Sequence, residues 1–456
     1  MTLFRFSDSL TLAAVVLAAG VLLPAPLPAQ RGDPLGPLVA EALRANLGLA
    51  RERLAERRAA AEVREARGLF FPTLGLESRY SRLHGVPNIG DLFNPAYAAL
   101  NQLTGTNRFP TDIDITLPQR HESRLRLSQP LFNEGIRANY GVARARYDGQ
   151  QMELATAARQ LAAEVQIAYL QHASTRRVVA IYSATLALVV ENERVAERLL
   201  AAGRATPEAV YRARAERADV EQRLAEAQER QVAAMRALNR VLQRPLDSPP
   251  ESIPDSLFAT PLDVTADSAV AHALTVREEL RQVDAGVRTA QAARRGATAA
   301  FLPSVAVAVD YGFLGPDVTF RGGENYWIAS LVVSWNLING GRDVARRTAA
   351  GYEADRARLL RRDLTDRIEL EVRTAYEAAR VAYAAIATAD AQLEAARRTF
   401  ELVRRRSEEG VASPIEFVDA RTAYTSAELN RVLTAYRYAI RWVELERAAA
   451  LRDLTP

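Results

Sequence analysis

The chain has 456 residues, 48% hydrophobic and 25% charged, a length for two or three domains and a composition that excludes bulk disorder. It has no cysteine, which excludes disulfides, thiolate metal sites, a Cys nucleophile and a lipid on an N-terminal Cys. All 59 basic residues are Arg, interspersed with 55 acids, so the net charge of +4 marks no nucleic-acid patch.

In chain order, residues 1–29 read as a signal peptide: Arg5 supplies the basic end, Leu10 to Leu23 the apolar run, and small residues lead to cleavage near Ala29. No second run of about 18 apolar residues follows, so no membrane-crossing helix is expected after processing. The remainder divides into residues 30–243, a Pro-rich connector at 244–262, and residues 263–456.

The two larger parts share one order of motifs. Ala42–Leu76 aligns with Ala273–Val307 at an offset of 231 (273 − 42), which places Pro72 on Pro303. SQPLFNEG at 128–135 matches SWNLINGG at 334–341. AAGRATPEAV at 201–210 matches EEGVASPIEF at 408–417, with Gly203 on Gly410. Each part therefore predicts a helix, two strands, then a long helical hairpin.

The four strand candidates alternate with period two. Leu74, Leu76 and Tyr80 oppose Thr73, Gly75, Glu77, Arg79 and Ser81; Leu125, Leu127 and Leu131 oppose Arg124, Arg126 and Ser128. Val305, Val307, Val309, Tyr311 and Phe313 oppose Ser304, Ala306, Ala308, Asp310 and Gly312, while Trp327, Leu331, Val333 and Trp335 share a face. Such segments suit the roughly 9–11 residues of a membrane strand, and aromatics near their ends suit interfacial girdles. A soluble sheet with one wet face needs the same alternation, and pattern alone leaves both open. The first insert, 83–118, reads as a loop.

The helical arms carry heptads. One runs Ile368, Val372, Ala375, Ala379, Ala382, Ile386, Ala389, Leu393, Ala396, Phe400 and Val403. Its counterpart runs Val178, Ile181, Thr185, Leu188, Asn192, Val195 and Leu199, then Val220, Leu224, Ala227, Gln231, Ala234, Leu238 and Val241. An arm of about 60 residues reaches roughly 90–100 Å. Four strands cannot seal a pore, because their edges stay unpaired in lipid; three chains would pool twelve strands and gather the arms into a hollow cylinder.

The FFP and FLP segments, the SQPLFNEG and SWNLINGG segments, and the paired Gly-x-x-Thr/Ser turns resemble the TolC-like outer-membrane efflux protein family over nearly the whole mature chain. The resemblance implies a mixed, mostly α fold with an internal two-fold repeat. It also implies a homotrimer whose β-barrel, four strands per chain, sits in outer-membrane lipid and continues as a coiled-coil α-barrel across the periplasm. As an exit duct of efflux or type I secretion, such a protein works with a periplasmic membrane-fusion adaptor and an inner-membrane transporter. The turns Gly203, Arg204, Ala205, Thr206 and Gly410, Val411, Ala412, Ser413 would dock the adaptor. Glu416 and Asp419, spaced i and i+3, would form acidic rings at the periplasmic entrance, although Ala209 stands where family members can carry a closing acid. By local chemistry, Gly caps one helix of each turn, Thr or Ser caps the next, and Pro opens it.

No cofactor is implied. His84, His121, His172 and His272 lack metal-ligand spacing, and neither a phosphate-cradling G-x-x-x-x-G-K-[ST] loop nor a G-x-S-x-G elbow occurs, so no enzyme is expected. A periplasmic coiled-coil adaptor without a barrel is the alternative; it would normally carry one hairpin, not two.

Overall fold

The structure is a computed structural model describing residues 34–82, 88–115, 121–251, 253, 262–315, 318, 320, 325–409, 411–452 and 454. The signal peptide and Gly410 lie outside the described residues.

The elements follow the expected order. Helices α1 (Gly36–Ala45) and α2 (Leu47–Gly68) lead into strand β1 (Thr73–Tyr80). After α3 (Gly90–Thr104) come β2 (His121–Phe132) and the hairpin of α4 (Glu134–Ala201) and α5 (Pro207–Leu242). The second series is α6 (Ala266–Val276), α7 (Glu278–Ala299), β3 (Ser304–Gly315), β4 (Asn325–Ser334), α8 (Arg342–Glu408) and α9 (Pro414–Ala449).

The strands form one antiparallel sheet in the order β1-β2-β3-β4. Thr73 lies opposite Ser128, Asp310 lies opposite both Arg126 and Ile328, and a bulge between Pro130 and Phe132 shifts the register. The bulge sits beyond the last residue of β1, so the amide that Pro130 lacks is not needed on that side. The register keeps the expected apolar residues on one face, with Leu74 opposite Leu127, Leu76 opposite Leu125, Tyr311 opposite both Leu125 and Trp327, and Leu331 opposite Val307, but at the bulge Phe132 rather than Leu131 stands opposite Val305. Beyond the sheet, Trp335 donates from Nε1 to the Phe301 carbonyl at 3.1 Å.

Helix α4 has 68 residues and α8 has 67, each spanning about 100 Å at 1.5 Å per residue. Small residues set how closely helices approach. A Cβ on Gly141 would lie 3.3 Å from that of Ala292, one on Gly149 3.4 Å from Ala285, and one on Gly296 3.3 Å from Ala138, so α4 and α7 pack nearly backbone to backbone.

The core lies midway along the helical body in two clusters. Leu38, Val39 and Ala42 of α1 pack with Val165 and Tyr169 of α4, Leu238 of α5 and Val443 of α9. Ala269 and Ala273 of α6 pack with Leu280, Ile368, Val372 and Leu445. Where α1 turns into α2, Asn46 Nδ2 donates to the Val241 carbonyl at 3.2 Å. Where α6 turns into α7, Arg277 Nη1 donates to the Ala448 carbonyl at 3.2 Å. The donors are 231 residues apart (277 − 46) and the acceptors 207 (448 − 241), the two offsets of the sequence alignment. Gln243 and Ala450, also 207 apart, both end their helices with positive φ, at 57° and 53°.

Three expectations need correction. The 83–118 insert is not a plain loop, since it holds the 15-residue helix α3 with Pro95 inside. In the first half the buried stripe of α4 runs through Thr185, Val189 and Glu193, leaving Leu188, Val195 and Leu199 exposed. Apolar residues on more than one side of that helix made the seam ambiguous. Finally, α4 does contain an 18-residue stretch apolar and long enough, by length and composition alone, to cross a membrane, of which 22% is buried. That apolar content belongs to a helix that packs on α5, α7 and α9 and leaves Leu188, Val190 and Leu199 exposed.

Candidate functional site

The two helical turns come first. Helix α4 ends at Ala201, and Gly203 follows with φ of +69°. The Gly203 amide donates to Leu200 O at 2.9 Å and the Arg204 amide to Leu199 O at 2.8 Å, which satisfies the last carbonyls of α4. No atom lies within 4 Å of a Cβ placed on Gly203, so a side chain there would project into open space. Thr206 has extended backbone and precedes Pro207, but its side chain makes no capping hydrogen bond, contrary to expectation. Its carbonyl instead accepts from the Ala209 amide at 3.1 Å, and Glu208 pairs with Arg212 at 3.1 Å.

The second turn differs in its cap. Ser413 Oγ accepts from the Glu416 amide at 3.3 Å, and the Val411 and Ala412 amides both donate to Arg406 O, at 2.8 and 3.0 Å. Glu416 is exposed and lies 3.8 Å from Arg406 Nη1, a weak, screened pair. Asp419 is exposed and, among the described residues, has neither an ion-pair nor a hydrogen-bond partner.

Both turns lie at one end of the molecule. Arg421 of α9, buried at 5% exposure, donates from Nε to Glu216 Oε1 of α5 at 2.9 Å. Arg421 lies seven residues past Pro414 (421 − 414) and Glu216 nine past Pro207 (216 − 207), about 10 and 14 Å from the turns along their helices. Since Arg421 is two residues from Asp419, it lies on the far side of α9; holding Arg421 inward turns Asp419 outward. Thr185 of α4 and Thr425 of α9 share a hydrogen bond at 3.3 Å. Glu193 of α4 lies between Arg214 at 3.3 Å and Arg217 at 3.2 Å on α5. Phe400 of α8 stacks on Tyr424 at 5.5 Å and meets Phe417 at 5.7 Å, closing the second hairpin. None of these links was read from sequence. The period of Arg421 could have marked it as inward-facing, but its partner is 205 residues away.

At the sheet, the face opposite the leucines is charged. Arg126 binds Asp310 through two 2.7 Å hydrogen bonds, Arg124 Nε donates to Glu77 at 2.9 Å, and Arg79 donates to Glu122 at 2.9 Å. Tyr326 Oη lies 3.3 Å from Glu122. Gly312 leaves room here, since a Cβ would come 2.6 Å from Ser123 O and 3.0 Å from the Tyr326 ring. The six charges, Glu77, Glu122 and Asp310 against Arg79, Arg124 and Arg126, balance. No group of three or more His, Asp or Glu residues that could hold a metal occurs among the described residues.

A sheet apolar on one face and charged on the other, carried on two hairpins of about 100 Å, defines the architecture of the barrel-and-stalk channel proteins. Residues 38–243 and 269–451 match the outer membrane efflux protein family, and the chain belongs to that family. A curated relative, the toluene efflux pump outer membrane protein TtgC of Pseudomonas putida, is 25% identical over 187 residues. That match spans 37% of this chain and 37% of the relative. Among solved structures, CusC superposes with a TM-score of 0.77 at 18% identity, covering 91% of this chain and 92% of that one. A membrane protein from Pseudomonas aeruginosa superposes at 0.74 with 21% identity, covering 91% and 93%. These likenesses show the fold.

Proposed function

We propose that this chain is the outer-membrane exit duct of a tripartite efflux or secretion system, a passive homotrimeric channel rather than an enzyme. The observation that carries the reading is the four-stranded sheet whose outer edges on β1 and β4 are unpaired among the described residues while Leu74, Leu76, Trp327, Leu331 and Val333 of its apolar face are exposed. Three such sheets make a closed twelve-stranded barrel that satisfies every edge. Family membership and the name of the Pseudomonas relative support efflux as the purpose. The paired offsets of 231 and 207 support a protomer built from two repeats, residues 30–243 and 263–456, joined by 244–262.

Entry is from the helical end, in the periplasm. Threefold repetition of Asp419, which is exposed and has no partner among the described residues, gives a ring of carboxylates that binds multivalent cations. Glu416 gives a weaker ring because Arg406 stands beside it. Planar-bilayer recordings test this: the purified protein conducts, and Asp419→Asn relieves block by a trivalent cation at least several-fold. A silent bilayer overturns the duct; unchanged block overturns the ring. The turns at 203–206 and 410–413 dock the periplasmic adaptor, which couples to an inner-membrane transporter. Gly203→Asp places its side chain in open space with a backbone cost of about 1 kcal/mol. It is expected to abolish adaptor co-purification and transport while the trimer still assembles; retained co-purification counts against docking.

A further inference from the structure

The segment between β1 and β2 is a built element. Asn94 and Asn101 of α3 each clasp a residue of the returning chain through both side-chain atoms. Asn94 Nδ2 donates to Ile113 O at 3.0 Å and its Oδ1 accepts from the Ile113 amide at 2.9 Å. Asn101 does the same with Phe109, at 2.7 and 2.9 Å. Asn88 Oδ1 accepts from the amides of Gly90 and Ile115, at 2.8 and 2.9 Å. Tyr97 fills the gap against Phe109 and Phe93, with ring centres 5.6 and 6.2 Å away. Gly90 is required at the start of α3, since a Cβ would fall 1.7 Å from Ile113 O.

One side of α3 is thus occupied, and the other is apolar and open. Leu92, Ala96, Ala99 and Leu103 recur at spacings of four, three and four; all are exposed, Leu92 at 73% and Leu103 at 84%. Phe93 and Leu100 flank them. Asp91 is the only ionised side chain of the helix.

We infer that this stripe packs against the same stripe on two further copies of the chain, so that three α3 helices meet on the threefold axis as a cap above the barrel's outer mouth, which solute leaves around the bundle. The inference rests on the trimeric duct proposed above. The spacing is that of helices packed by knobs into holes, and Ala96 and Ala99 at its centre allow close approach. The lack of Arg in α3 argues against a phosphate-bearing lipid surface, which amphipathic helices grip with cations. Size agrees as well. Twelve strands about 4.8 Å apart and tilted about 40° enclose a circle roughly 24 Å across. Three helices with axes about 10 Å apart form a bundle of roughly 20–24 Å. The segment leaves the sheet after Tyr80 and rejoins it at His121, so it sits over the end of the sheet opposite α4 and α8.

The chain lacks cysteine, so single substitutions report cleanly. Ala99→Cys lies on the stripe; Ala98→Cys, also exposed, lies off it. The full chain is purified in detergent, its mass measured, and copper phenanthroline added. Most A99C is expected to form a covalent dimer, one disulfide per trimer, with at least ten-fold less for A98C. Adding Leu103→Asp to A99C, which leaves the Asn clasps untouched, should abolish the cross-link. A trimeric mass with A99C left reduced, or with A98C linked equally well, overturns the cap alone. Protection of A99C from a water-soluble maleimide only in lipid vesicles also overturns it, in favour of lipid. A monomeric mass overturns both the cap and the duct.

Discussion

Arg277 is 5% exposed and holds three groups at once. It pairs with Glu279 at 2.7 Å and Glu371 at 2.5 Å, and donates to the Ala448 carbonyl, while Arg447 reaches the other oxygen of Glu371 at 2.7 Å. Burial raises the pKa of both carboxyls, but the facing guanidiniums outweigh it and hold both below the ordinary 4.5. A carboxylate whose pKa is lower folded than unfolded adds stability above the unfolded value, which is lost as pH falls from 4.5 through the lowered one. Glu371→Gln is therefore expected to cost about 2–3 kcal/mol at pH 7. That is less than the roughly 3–5 for a fully buried pair, because Glu371 is partly exposed and Glu279 remains. Helix melting followed by circular dichroism should show the gap between variant and wild type shrinking below pH 4.5. A gap that persists at pH 3 would place the effect in packing rather than charge.

At the level of elements, the strands were the most legible. Period two alone assigned Leu331 to one face and Ser330 to the other, and the register keeps them there. In the proposed barrel, Arg at 331 meets lipid at a cost of about 2–4 kcal/mol near the midplane, while Arg at 330 faces the charged side. Heat-modifiable trimer on gels should accordingly vanish for Leu331→Arg and survive for Ser330→Arg; equal behaviour would mean that neither face meets lipid. What the strands pair with was not legible: Arg126 and Asp310 are 184 residues apart, and alternation carries no register. The α8 seam was readable because apolar residues occupy one line, of which Ile368, Val372, Ala379, Ala389 and Phe400 are buried. The α4 seam slipped by one residue because Leu188 and Val189 compete for it, and a buried Glu193 held by two arginines looks polar in sequence. Helix α3 hid behind Pro95 and two asparagines, although Leu92, Ala96, Ala99 and Leu103 already had helical spacing.

For the whole molecule, the proposed duct gives separate tasks to the balanced charges on the sheet and to Asp419 at the far end, which has no partner among the described residues. In the trimer proposed above, a lumen wall with as many arginines as acids gives little net field, which leaves ion preference to the proposed Asp419 ring. That division requires the barrel to be closed. In a strand paired on one side, only alternate amides find an acceptor, and the others face outward. Among the described residues of one protomer, β1 is bonded only to β2 and β4 only to β3. If β4 of one copy pairs with β1 of the next, the outward amides of Thr73–Tyr80 and Asn325–Ser334 gain partners only on assembly. Hydrogen exchange on the detergent-solubilised trimer should find every amide in both strands slow. Protein dissociated under mild denaturant should show alternate amides fast while those between β2 and β3 remain slow. Alternation already present in the assembled protein would mean that the edges meet something other than each other.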